Sequence, residues 1–510
     1  IEKRESPTYE GLNRTFTKLL SHHRQEVSRH AEIMIDRHPL FIRSYLTQIT
    51  VAVQEQMKID LDPIYNLCEW VLNIPDSTMP VEELETGALI DTDWQWVRSQ
   101  ICDLIREICK VNSDSETIYP ENLHRKPLAN LLQLLIKDPI NDPTDLNRHE
   151  ADPRLYDYTT FALNSQRGHA TRALVEYARW IANQHKSSVN GIDVVTDGIS
   201  LMSEVKDLIE WTLSDDNQSI SNAAILGESI GILYWIDSAW LKTIIDTLFN
   251  LHRTPDDPLY EKGWAAWNSF VSWVNPHRVY YELLADKYKS ALEQSCTLDA
   301  IDKDSSHQPM FRLAEHLVLL YGRGDLKGKA GASLIDKLIT KSPSEMRTNA
   351  IEFIGRSVSH DENLPKEVTD RFKFLWTKYW NSSGKSDAKA DPKAHLFGRW
   401  FASGQFNDSW ALKQLVEYSE IVGIPEPDHS VVERMEKVVQ IDPDACLTVL
   451  KYMVEGDYEG WHIQSWLEPA RAILKHGLQC EDDTKQLAED IINKLGRLGH
   501  LDFGELLNAN

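Results

Sequence analysis

One pattern constrains this chain more than any other: apolar residues recur at three- and four-residue steps almost throughout, while strict alternation is nearly absent. Trp94, Val97, Ile101, Leu104, Ile105 and Ile108 fall on one stripe of a helix. The same spacing returns in Ala170, Ala173, Leu174, Tyr177, Ala178 and Ile181, and again in Met346, Ala350, Phe353, Ile354 and Val358. Pro, Gly, Asn or Asp interrupts the pattern at Asp60–Pro63, Pro75–Pro80, Lys186–Gly191, Ser214–Asn217, Thr254–Pro258, Gly322–Gly331, Ser382–Pro392, Gly423–Pro427 and Gly456–Gly460. Breaks at that rhythm predict short helices joined by tight connections, an all-α fold.

Each of the three stripes has an arginine near its start, Arg98, Arg167 and Arg347, three residues before Ile101, Ala170 and Ala350. Turn or cap residues precede them: Asp91, Thr92 and Asp93; Asn164 and Ser165; Ser342, Pro343 and Ser344. The arrangement resembles the second helix of a HEAT or armadillo-type repeat, where an early arginine meets acidic caps of the adjacent repeat. It implies an α-solenoid of HEAT/TPR-like helical hairpins, an architecture whose usual work is to hold another protein. The competing reading is a set of ordinary amphipathic helices. Boundaries are expected at a loop over 138–153, rich in Asp-Pro pairs, and at a linker over 382–393. They divide an N-terminal helical region (1–137), a central array (154–381) and C-terminal repeats (394–510).

Charge narrows the partner. With 54 Lys+Arg against 78 Asp+Glu the chain carries −24, which disfavours a nucleic-acid reader and favours a basic protein partner. The acid excess starts late: residues 1–50 hold eight basic and six acidic side chains, residues 51–150 eight and nineteen. Folding could still gather Arg154, Arg167, Arg172 and Arg179 onto one surface. No segment has the ~20 apolar residues of a membrane helix, and the opening Ile1-Glu2-Lys3-Arg4-Glu5-Ser6 offers no signal-peptide core. The missing initiator Met is expected of a chain that begins inside a longer protein. Cys68, Cys102, Cys109, Cys296, Cys446 and Cys480 form neither a CxxC pair nor a cluster, so reduced thiols in a cytoplasm are expected.

Several short motifs imply chemistry and then lack its context. Gly227-Glu228-Ser229-Ile230-Gly231 fits the nucleophile-elbow pattern. Yet Asn222–Ile236 reads as one helix with a small-residue stripe at Ala223, Gly227 and Gly231; Ser229 is the nucleophile of the alternative hydrolase reading. The run Gly322 to Ala330 has three residues where a phosphate loop needs four, Ala330 where it needs Ser or Thr, and a helix before it. His22, Glu26 and His30, four residues apart, could share a helix face and hold a metal, but arginines crowd them and no further ligand is evident. No catalytic residue, metal ligand or cofactor is therefore assigned.

The 16 tryptophans matter more. Large aromatics dominate both cores and interface hot spots, and the Trp-rich stretch up to Trp273 offers Trp235, Trp240, Trp264, Trp267 and Trp273 as residues lining a recognition groove. Core packing is the alternative for each of them.

Two longer stretches carry a family resemblance: Leu163-Asn164-Ser165-Gln166-Arg167-Gly168-His169-Ala170, and Phe397-Gly398-Arg399-Trp400-Phe401-Ala402-Ser403-Gly404-Gln405-Phe406 followed by Asp408, Trp410, Ala411 and Leu412. They resemble segments in the C-terminal helical regions of bacterial NLR-like STAND ATPases and related antiviral sensors. The resemblance spans residues 154–429 and implies a helical sensor arm that recognises an invader's protein and joins a larger assembly. The chain departs from the complete family plan in lacking a P-loop and an effector domain. A constitutive structural adaptor is the remaining alternative.

Overall fold

A computed structural model describes residues 9–74, 94–113, 123–138, 152–189, 192–195, 198–217, 219–298, 309–359, 363–392, 395–457, 460 and 462–508. The fold is all-α, as the periodicity predicts. Two compact units divide it, Ile1–Val274 and Asn275–Asn510, so the division falls inside the expected central array.

The first unit contains α1 (Tyr9–Val27), α2 (Pro39–Gln54), α3 (Asp62–Leu72), α4 (Trp94–Ser113), α5 (Arg125–Ile136), α6 (Tyr158–Leu163), α7 (Gln166–Gln184), α8 (Ser203–Leu213), α9 (Ile220–Glu228), α10 (Ile230–Ile236), α11 (Ser238–Leu248) and α12 (Tyr260–Trp273). Local chemistry sets many of the starts. Asp157, Ser165, Ser219 and Asp237 cap α6, α7, α9 and α11 through their side chains, and Pro39 opens α2. Helices then pack in two successions. One runs α1, α2, α4, α7, α9, α12; the other runs α3, α5, α8, α11. All six residues of the Trp94 stripe and all six of the Ala170 stripe are buried. The α9–α12 contact depends on Gly227, where a Cβ would lie 2.1 Å from the Ala266 carbonyl oxygen. That close approach is the purpose of the small-residue stripe.

One break holds an element that helical spacing does not predict. Residues Lys186–Val189 (β1) and Ile192–Val195 (β2) pair antiparallel, with Val189 opposite Ile192. Asn190-Gly191, the residues between them, are a favoured pair for a two-residue hairpin.

The second unit contains α13 (Arg278–Ser295), α14 (Pro309–Arg323), α15 (Gly328–Lys341), α16 (Ser344–Val358), α17 (Lys366–Tyr379), a π-helical turn (Trp380–Gly384), α18 (Lys385–Ala390), α19 (Gly398–Ala402), α20 (Asp408–Val422), α21 (Asp428–Val438), α22 (Pro443–Gly456), α23 (Leu467–Gly477), α24 (Asp482–Arg497) and α25 (Glu505–Asn508). Two successions recur, α14, α16, α19, α21, α23 beside α13, α15, α17, with α18, α20, α22, α24 continuing the second. The expected linker over 382–393 is corrected: Trp380 to Ala390 is helical, and both Asp387 and Ala388 are buried. Of the expected 138–153 loop, residues 139–151 lie outside the described residues, as do the Pro75–Pro80 break and the caps Asp91, Thr92 and Asp93. Asp138 itself is buried.

An aromatic cluster organises this unit. Trp376 lies 5.2 Å from Trp380 and 4.4 Å from Phe397, Trp400 lies 5.3 Å from Phe406, and Phe406 lies 5.6 Å from Trp410. Two of its buried indoles have acceptors: Trp400 Nε1 donates to the Ile351 carbonyl at 2.9 Å and Trp376 Nε1 to Gln414 Oε1 at 2.9 Å. The stretch from Phe397 to Leu412 is thus a packing motif that joins α16, α17, α19 and α20. Gly398 is part of it, since a Cβ there would sit 2.1 Å from the Glu426 carbonyl oxygen.

Candidate interaction surface on α2, α4 and α7

The sequence-predicted arginines are struts, Arg98 and Arg167 buried and Arg347 partly so. Arg98 Nε lies 3.1 Å from Asp138 Oδ2, and both side chains are buried. Arg347 grips both oxygens of Asp387, at 2.8 and 3.0 Å, from 40 residues away. Arg98 and Asp138 are separated by the same interval. Arg167 donates to the Asp138 carbonyl at 3.0 Å and faces Asn217 Oδ1 at 3.4 Å. These side chains fasten neighbouring helices together. Arg154 lies on Asp152, Arg172 on Glu228 and Arg179 near Glu176, so with Arg167 buried the four do not make a basic patch.

The tryptophan expectation needs correction. Trp240, Trp264 and Trp267 are core residues, the last two fully buried on α12, which packs against α6, α9 and α11. Trp267 packs on Phe249 and Phe270. Trp235 is half-buried, and Trp273 alone of the five is exposed.

The motifs with weak context fold as their context implies. Ser229 is a buried break between α9 and α10, with φ −91° and ψ 5°, instead of lying within one continuous helix. Among the described residues no hydrogen bond joins its hydroxyl to a histidine or carboxylate. The Gly322 to Ala330 run is a connection between α14 and α15, in which Gly324 and Gly328 take positive φ. His22, Glu26 and His30 do not converge: the helix leaves its path at His23 and again at His30, so a regular four-residue spacing no longer holds. His23 pairs with Glu26 at 3.1 Å and His30 with Glu32 at 3.6 Å.

What sequence spacing misses is a face built by α2, α4 and α7. Each helix turns its apolar stripe inward and leaves an outward row: Arg43, Thr47 and Gln54 on α2; Trp96, Gln100, Asp103, Glu107 and Lys110 on α4; His169, Arg172, Glu176 and Arg179 on α7. Between them runs an open groove of about 560 Å³, lined almost wholly by polar side chains. Gln100 bridges the first two helices, accepting from Thr47 Oγ1 at 2.9 Å and donating to Thr50 Oγ1 at 3.2 Å. Asp103 takes Arg106 at 3.2 Å and has His169 at 3.8 Å. Glu107 has Lys110 at 3.9 Å. Within the α7 row Arg172 holds Glu228 of α9 at 2.7 Å; burial raises the Glu228 carboxyl above its ordinary range even against that cation.

One helical turn before Gln100 and Thr47, Trp96 is 43% exposed with the Arg43 guanidinium 5.0 Å from its ring centroid. An exposed tryptophan backed by a cation and followed by a polar groove has the composition of an interface anchor. A sequence signal for it exists: Trp96 stands between Trp94 and Val97, off the apolar stripe, on the polar side of an amphipathic helix. Among the described residues lining the groove there is no nucleophile–base pair, and their hydrogen-bond donors and acceptors suit a polypeptide better than a buried apolar ligand. No family model matches the chain, and no curated protein is similar to it.

Proposed function

We propose that the chain is a non-catalytic protein-recognition α-solenoid, a sensor or scaffold arm of the kind carried by bacterial antiviral defence proteins. Its recognition face is the row of α2, α4 and α7, with Trp96 as the anchor. The observation that carries this reading is Trp96 itself, a large aromatic left exposed beside Arg43 at the start of a polar groove. Support for a solenoid comes from the two side-by-side helix successions within each unit and from two buried Arg–Asp pairs that each span 40 residues, about the length of a two-helix repeat. The two stretches that resemble defence proteins act here as a helix turn and an aromatic core, so they support a shared helical scaffold.

The net charge of −24 favours a partner that is basic overall and speeds its encounter. Groove charges are balanced and paired along their own helices, so affinity resides in the aromatic anchor and charge acts on the rate. Free cysteines suit a cytoplasmic setting. No helix among the described residues is long and apolar enough to cross a membrane.

The test is quantitative affinity purification from cells that naturally contain the protein. Wild type is compared with Trp96→Ala and with Phe374→Ala, a still barer aromatic on α17. A specific partner should be retained by wild type and Phe374→Ala and lost by Trp96→Ala. Equal retention by all three overturns the assignment of this face.

A further inference from the structure

The second unit brings together three groups that no spacing rule connects. Glu426 and Asp428 flank Pro427 at the entry to α21, and His462 opens a 3₁₀ turn, His462–Ser465, ahead of α23, 34 residues after Asp428. One donor atom from each lies within 4.8 Å of the other two. The geometry points to a divalent transition-metal site formed by Glu426, Asp428 and His462, and Zn²⁺ fits its donors best.

The donor set selects the ion. Imidazole nitrogen and carboxylate oxygen are both zinc donors, and water can take the fourth position, whereas calcium and magnesium favour shells made of oxygen alone. Open coordination is available because the His462 side chain is 46% exposed and that of Asp428 15%. Electrostatics point the same way. Two carboxylates this close repel one another, and the N-terminus of α21 supplies only about half a positive charge. A dication compensates them more completely.

Both supporting segments are held from behind. The Gly398 backbone abuts the Glu426 carbonyl, with room for no Cβ, which seats the loop that carries both carboxylates. On the other side the buried Asp457 accepts the Ile463 amide at 2.9 Å and fixes the turn that presents His462. His462 Nδ1 already lies 3.0 Å from Asp428 Oδ2, and Ser465 Oγ donates to the same oxygen at 3.3 Å, as an outer hydroxyl would toward a ligating carboxylate. The Asp428 amide donates to Glu426 Oε2 at 3.2 Å. Bringing the donors to ~2.0–2.2 Å from one ion requires closing the cluster by no more than about an ångström or two.

Titration calorimetry of the full, tag-free chain with Zn²⁺ alone tests the site. Wild type should bind one equivalent. His462→Gln and Asp428→Asn should each weaken that equivalent at least tenfold, while Ser465→Ala, which removes no donor, keeps the stoichiometry. Titration with Ca²⁺ should give no saturable heat. X-ray absorption of the zinc-loaded wild type, which needs no variant to fold, should show nitrogen and oxygen with an imidazole and no sulfur. Absence of saturable Zn²⁺ binding, unchanged binding by both variants, or sulfur in the shell, which would place the ion at a cysteine, each overturns the proposal.

Discussion

Arg347→Ala is the substitution whose cost follows most directly from the geometry. The Arg347 side chain is 14% exposed and its partner Asp387 5%, and the two make a bidentate pair at 2.8 and 3.0 Å. Arg347 also donates to the Ser342 carbonyl at the end of α15. Tyr379 faces the same carboxylate, and burial, with that negative charge beside it, keeps the phenol well above its ordinary ionisation range. Removing the guanidinium leaves a buried carboxylate without its cation, which costs about 3–5 kcal/mol. For a unit of roughly this size that is a fall of about 6–20 °C in Tm. The double variant Arg347→Met/Asp387→Leu removes both charges and should return to within about 1 kcal/mol of wild type, since a buried pair gains little over a well-packed apolar substitute. Arg278→Ala, at a pair in which both side chains are more than half exposed, should leave stability nearly unchanged. Urea unfolding followed by fluorescence of the buried Trp376, Trp380 and Trp400 reads all three. If Arg347→Ala and Arg278→Ala lie within 0.5 kcal/mol of each other, the strut assignment fails.

Gly227→Ala should destabilise the first unit by about 2 kcal/mol or more, because its Cβ would meet the α12 backbone, which has no rotamer to move; a thermal melt unchanged from wild type would refute the close approach. Trp264→Ala should cost about 3–5 kcal/mol and Trp273→Ala less than about 1, a contrast that urea melts measure and that fails if the two match. The Lys262 ammonium is buried, donating to the Ser214 and Asn217 carbonyls at 3.1 and 2.6 Å, and burial lowers its pKa to about 8. Between that value and the unfolded value near 10.5 the unfolded chain holds the extra proton, so raising pH favours the folded state. Wild type should therefore gain up to about 3 kcal/mol on Lys262→Met from pH 8 to 10.5. The buried thiols, raised by burial, act in the opposite direction but equally in both proteins and cancel in the difference. A difference that does not change with pH would contradict the burial.

Helices were legible because amphipathic spacing is a property of local sequence. The Trp94 and Ala170 stripes are buried to the last residue, and in the third only Phe353 is half-buried, beneath the Arg356 guanidinium. What depends on contacts between distant segments was not. Helical spacing cannot tell a core tryptophan from a groove tryptophan, because the neighbouring helices decide it: Trp264 and Trp267 are covered where other helices pack on α12, while Trp96 is left bare. Ser229 breaks its helix although its neighbours keep helical spacing. Asp387 looked like part of a polar linker until Arg347 gave it a buried role. The converse holds for Glu426, Asp428 and His462, whose residue types imply nothing until the fold brings them within reach.

Hydrogen exchange on the protein, alone and with the partner that wild type retains and Trp96→Ala does not, tests recognition by the α2, α4 and α7 face most directly. The predicted result is added protection concentrated in Pro39–Gln54, Trp94–Ser113 and Gln166–Gln184. Protection that leaves these three helices unchanged and appears only elsewhere would contradict it.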